Sequence, residues 1–155
     1  MISSTHLHAM ALHFPFALLI AGSFFQVISL IYKKEFLQEI AFSLLILGMV
    51  GMGFSYFAGS AAGESMEEGL FNQALKLHEQ AATTSLWLTI IASVVYAAIG
   101  GFKYYKGWLR VIAVLLFAAV IGSIARTGYS GGQLVFENGA GIELALPDFS
   151  NPGDK

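Results

Sequence analysis

The chain has 155 residues, of which 56% are apolar and 12% charged, with a formal net charge of −2. That length fits one domain, and the apolar excess is that of an integral membrane protein rather than a soluble one. Few and scattered basic residues leave no footprint for nucleic acid. The absence of cysteine excludes disulfides, thiolate iron–sulfur sites, covalent haem attachment through Cys-x-x-Cys-His and a thiol nucleophile.

Four apolar segments, 14–32, 40–58, 81–102 and 109–125, are each long enough, or nearly so, to cross about 30 Å of hydrocarbon at about 1.5 Å per residue. They predict an all-α membrane protein, a four-helix transmembrane bundle over residues 1–142 followed by a polar tail at 143–155. The opening MISSTHLHAM lacks the basic n-region of a signal peptide, so the first span is expected to be retained. Ser3, Ser4 or Thr5 can cap an early helix start, or the helix can begin near Phe14 with Pro15 in its first turn. An early start overshoots the membrane by about two turns and carries His6 and His8 beyond it. In the second span Gly48, Gly51, Ser55 and Gly59 recur at steps of three and four, a stripe of small residues on which either another helix or a flat cofactor ring can lie.

The connection 59–80 is acidic, and Phe71, Leu75, His78 and Ala82 recur at helical spacing, so its second half is expected to run as helix into the third span. Continuing from His78, the face Ala82, Ser85, Thr89, Ala92 and Ser93 is small or weakly polar and points inward, whereas Leu86, Trp87, Ile90 and Val94 suit lipid. Lys33, Lys34, Lys103, Lys106 and Arg110 fall in the two short loops, against Lys76, Arg126 and Lys155 on the other side. The bias of basic residues towards the cytoplasm then places both termini and the long connection outside, which is the periplasm for the inner membrane of a double-membraned bacterium. In that topology every histidine, His6, His8, His13 and His78, lies on one membrane face. After the fourth span Gly131-Gly132 is expected to break the helix, QLVFE has strand character and Asn138-Gly139 is a hairpin signal, predicting a small outer hairpin.

Three motifs in order are His8-x4-His13-Phe14-Pro15, His78-Glu79, and Thr127-Gly128-x2-Gly131-Gly132-x-Leu134-Val135. Together they resemble the bacterial membrane proteins grouped as domain of unknown function 2231. Openings in that family usually read His-Pro-x-x-Val-His-Phe-Pro. Here His8, His13, Phe14 and Pro15 match, while Ala9 stands for a proline and Leu12 for a valine. The tail usually reads Gly-Gly-x-Leu-Val-Tyr before a glycine, with Phe136 here in place of the tyrosine. The resemblance spans residues 8 to about 142. It implies a four-helix membrane domain whose relatives are sometimes joined to c-type cytochrome or Rieske-type domains, and so electron transfer.

The residues themselves fit a b-type haem, which needs two imidazoles on different elements and no cysteine. His13 and His78 are the first candidates for the iron, with Arg126 at the same depth for a propionate and the stripe Gly48, Gly51, Ser55 and Gly59 beside the ring. His8 is the competing ligand, since five residues turn it well away from His13 on a helix. Haem there would exchange electrons with quinol or with a soluble or tethered cytochrome. Two other readings stand beside it: a cofactor-free accessory subunit of a larger respiratory or photosynthetic membrane complex, and a copper or zinc site at His6, Met10 and His13, which share a face. Transport is disfavoured because the spans hold no ionisable residue except at their ends. Hydrolysis is disfavoured because no nucleophile is paired with a histidine and a carboxylate.

Overall fold

A computed structural model describes residues 4–64, 72–101 and 107–140. These form four helices, α1 (Ser4–Tyr32), α2 (Glu35–Glu64), α3 (Asn72–Gly101) and α4 (Gly107–Phe136), with no strand among the described residues. Each α-helix of 29 or 30 residues is about 45 Å long at about 1.5 Å per residue. All four are long and apolar enough to cross a membrane. They exceed a hydrocarbon layer of about 30 Å by about 15 Å. In α1, α3 and α4 the helix runs beyond the apolar segment mainly at the end carrying the histidines, which forms a helical head.

The helix α1 packs on α2 and α4, and α3 packs on the same two neighbours. Consequently α1 and α3 face each other across a diagonal, as do α2 and α4. The connection between α1 and α2 is Lys33-Lys34. Lys33 takes a left-handed φ of 48°, and its N–H reaches Ser29 O at 3.1 Å, the hydrogen bond of a left-handed helix cap made without glycine. Pro15 lies inside α1, so the helix takes the early of its two possible starts. Proline costs least where its missing N–H is offset by packing, and here its ring sits buried against Gly51.

Burial is inverted relative to a soluble protein. Phe57 and Phe54 are 73% and 72% exposed, while Gln26, Ser29, Ser85 and Thr89 are wholly buried. Only lipid makes that arrangement favourable: apolar side chains lose nothing against hydrocarbon, and polar ones must find partners inside. Thr89 and Ser93 bond the carbonyls of Ser85 and Thr89 one turn back, at 2.7 and 2.8 Å, and Ser85 Oγ meets Thr127 Oγ1 at 2.8 Å across α3 and α4. Towards the short-loop end Tyr96 Oη donates to Gln26 Oε1 at 2.5 Å and to Gln38 O at 3.2 Å. Its ring stacks on Phe42 and meets Phe117 edge-on. Around it Leu19, Leu45, Met52, Phe117, Val120 and Ile124 make the apolar core. The inward face expected for α3 is buried at Ser85, Thr89, Ala92 and Ser93, while Trp87 and Val94 face lipid. Leu86 instead packs partly against the core.

The C-terminal region departs from the sequence expectation. Gly131-Gly132 does not break α4, and Gln133–Phe136 continues it as helix. Two glycines cost a helix about 2 kcal/mol together, but Gly131 lies against His78 of α3, and Leu134, one turn on, joins Leu75 and Ala140 in a second apolar cluster. Tertiary burial outweighs that propensity cost. Asn138-Gly139 is the helix cap rather than a hairpin turn: Gly139 has φ 70°, and its N–H bonds Val135 O at 3.0 Å. The expected return strand and the tail at 143–155 lie outside the described residues.

Candidate functional site

The histidine end of the bundle is built by the two diagonal helices. His8, in the first turns of α1, and His78, in α3, present their imidazoles to each other with ring centroids 6.3 Å apart and planes at 80°. Both positions exist because their neighbours lack side chains. A Cβ on Gly59 of α2 would stand 2.6 Å from His8 Cε1, and one on Gly131 of α4 would stand 3.1 Å from His78 Cε1. The diagonal pair is therefore seated by a glycine on each flanking helix.

Hydrogen bonds fix which nitrogen of each ring is bare. His8 Nδ1 lies 2.8 Å from Ser55 O, and because a carbonyl only accepts, that nitrogen carries the proton and Nε2 holds a free lone pair. His78 Nδ1 lies 3.2 Å from Ser130 Oγ. The Ser130 hydroxyl donates to Thr127 O at 3.0 Å, so its oxygen accepts from His78 in the same sense. Two neutral imidazoles with both Nε2 atoms available are what metal ligation requires, with Ser55 and Ser130 as the partners that orient them. The Ser55 hydroxyl is itself buried without a partner among the described residues. It lies beside a pocket of about 20 Å³ that both histidines also line.

Of the residues singled out in the sequence, the structure brings His8 and His78 together and leaves His13 apart from them. His13 is exposed, and its Nδ1 bonds Ala9 O at 2.7 Å, one turn back on its own helix. It nevertheless lines the same cleft as the pair, as does Arg126, also exposed. The stripe on α2 packs against α1: Gly48 on Leu19, Gly51 on Pro15 and Gly59 on His8. His6 and Met10 lie on an exposed face. Among the described residues no three His, Cys, Asp or Glu side chains are grouped to hold a metal ion.

The cleft itself has a volume of about 1520 Å³ and takes its walls from all four helices, with His8 and His78 inside it. It runs from a polar mouth at Lys76, Glu79 and Gln80 to Phe16, Ala17 and Ile20 on α1. Tyr56 and Thr83 close one side through a 3.2 Å bond between their hydroxyls. Sequence reasoning passed over Gly131 and Ser130 as parts of the site. The signal was present in Gly128-x2-Gly131-Gly132, but a double glycine reads as a helix end unless a partner for the missing side chain is known.

No curated protein and no solved structure matches the chain. The family model described as "Predicted membrane protein (DUF2231)" matches residues 4–144, nearly the whole chain and all three motifs, and the chain belongs to that family.

Proposed function

We propose that this chain is a membrane electron-transfer protein, or the electron-transfer subunit of a larger complex, that binds haem b between His8 and His78. The single observation that carries the reading is the imidazole pair. His8 and His78 stand with ring centroids 6.3 Å apart, close enough that one metal ion, at bonds of about 2 Å, could be held by both. Their free Nε2 atoms, with no third His, Cys, Asp or Glu grouped beside them among the described residues, suit a metal whose remaining ligands come from a macrocycle. The mostly apolar cleft around them supplies room for such a ring.

In this reading His8 and His78 would hold the haem iron. Ser55 O and Ser130 Oγ hold the two rings in orientation and raise their basicity. Gly59 and Gly131 keep the space clear. Arg126, on the cleft wall, is the cation available to a propionate. His13 sits beside the site rather than on the metal. Haem bound there supplies a one-electron couple, placed in the helical head just beyond the hydrocarbon. With the basic short loops in the cytoplasm, that head faces the periplasm of a bacterial inner membrane, within reach of a soluble or tethered redox partner.

The test is an optical spectrum of the detergent-purified protein from haem-replete cells, oxidised and then dithionite-reduced, with a pyridine haemochrome assay for stoichiometry. A sharp b-type α-band on reduction is the expected result. A colourless protein overturns the reading and leaves a cofactor-free accessory subunit, to be sought by its association with a complex.

A further inference from the structure

We propose that the cleft also binds a membrane quinol, a dihydroxyaromatic ring on an isoprenoid chain, with His13 accepting a hydrogen bond from one ring hydroxyl. The inference deepens the electron-transfer reading by naming the donor class, and it rests on that reading for the ligand's role. The binding itself is argued from the cleft.

The first argument is size and reach. Ligand pockets usually measure about 300–1,000 Å³, and this one is about 1520 Å³, large enough for a second occupant beside a macrocycle. Along α1 its lining extends from His8 to Ile20, a helical rise of about 18 Å. That passes from the head into the membrane-spanning part of the helix. Ile20 is 56% exposed on the lipid-facing surface, so the lower end of the cleft meets the bilayer sideways while the upper end is polar at Lys76 and Glu79. A ligand with a polar ring and a long apolar chain matches that gradient.

The second argument is the hydrogen bond that orients His13. Its Nδ1 donates to Ala9 O at 2.7 Å, so in the neutral ring Nε2 is an acceptor, placed on the cleft wall between the apolar Leu12 and Phe16. An acceptor recognises a donor. A quinol hydroxyl donates, whereas a quinone carbonyl or a phospholipid phosphate can only accept. The site as built therefore selects the reduced form of the carrier, which is the form an electron-accepting centre consumes.

The experiment uses the full-length detergent-purified chain and a decyl-substituted benzoquinol, with its quinone as the control, in anaerobic equilibrium dialysis. The expected result is saturable binding with the quinol held on the order of tenfold more tightly than the quinone, the worth of one hydrogen bond. His13→Phe removes that preference, and Ala17→Phe, which fills the cleft, weakens both forms. Monodisperse elution and unchanged helical circular dichroism confirm that both variants fold. Equal binding of quinol and quinone to wild type and to His13→Phe overturns the proposal. So does displacement of both by dioleoylphosphatidylglycerol, which makes this a lipid phosphate site at Arg126. Haem content of the same samples separates the two readings: a colourless protein that prefers quinol overturns the haem reading alone, and a haem-loaded protein that binds neither form overturns this inference alone.

Discussion

Replacing Gly59 with alanine tests the site at its tightest point. The added methyl would lie 2.6 Å from His8 Cε1 and 2.9 Å from its Nδ1, so the ring must retreat by about 1 Å to reach ordinary contact distances. Retreat stretches or breaks the 2.8 Å bond from Nδ1 to Ser55 O. Because the imidazole is the far end of a side chain, the lost hydrogen bond, about 1 kcal/mol, is offset by the gain of about 1 kcal/mol when α2 exchanges glycine for alanine, and overall stability should change little. Ligation is far less tolerant: losing an orienting partner typically weakens metal binding by about 10–100-fold. Gly53→Ala is the matched control, since nothing lies within 4 Å of its added methyl. It should leave haem untouched and stabilise the helix by about 1 kcal/mol. The assay is haem per chain by pyridine haemochrome across a haem titration, with thermal unfolding in detergent followed by circular dichroism. Equal haem affinity in Gly59→Ala and Gly53→Ala would refute the claim that Gly59 seats a ligand.

Gly48→Ala is expected to act differently, because its methyl would lie 2.7 Å from the branched Cγ of Leu19, wholly buried in the core. Overpacking there should cost about 1–3 kcal/mol of stability, read as a lowered unfolding midpoint, without a specific loss of haem affinity. Tyr96→Phe removes the bonds to Gln26 Oε1 and Gln38 O; interhelical hydrogen bonds in membranes average about 0.6 kcal/mol and reach about 1.7, so a stability loss of that size, read as a lowered midpoint and again with haem retained, is expected. The chain has no cysteine, and Met10 is 67% exposed. Met10→Cys should thus react with a membrane-impermeant maleimide added outside intact cells if the histidine head faces out, and only after lysis if it faces in.

Much of the fold was legible because the membrane simplifies the code. Segments of sufficient apolar length, separated by short basic loops or one long acidic one, leave little besides a four-helix bundle, and the step from His78 through Ser85 to Ser93 showed which face of α3 turns inward. The ends were harder. Gly131-Gly132 and Asn138-Gly139 carry the local chemistry of a break and a hairpin, but the packing of Leu134 and Ala140 on Leu75 keeps the chain helical to Phe136, and no local window contains that contact. The gathering of the histidines at one end of the bundle was legible, yet which two face each other was not. His8 and His13 are separated by five residues on one helix, and which of them meets His78 depends on how α1 is rotated. That rotation is set by Leu19, Pro15 and His8 lodging against Gly48, Gly51 and Gly59. The α2 stripe and the histidine question were thus one problem, which neither segment shows alone.

The measurement that tests the central claim most directly is haem content, histidine by histidine. Wild type and the variants His8→Ala, His78→Ala and His13→Ala would be purified in the same detergent and assayed by pyridine haemochrome together with the reduced-minus-oxidised spectrum. The account predicts haem b in wild type and in His13→Ala, with loss of the low-spin α-band in His8→Ala and His78→Ala while all four proteins remain inserted and helical. Haem that disappears with His13 and persists without His8, or wild-type protein that carries none, would contradict it.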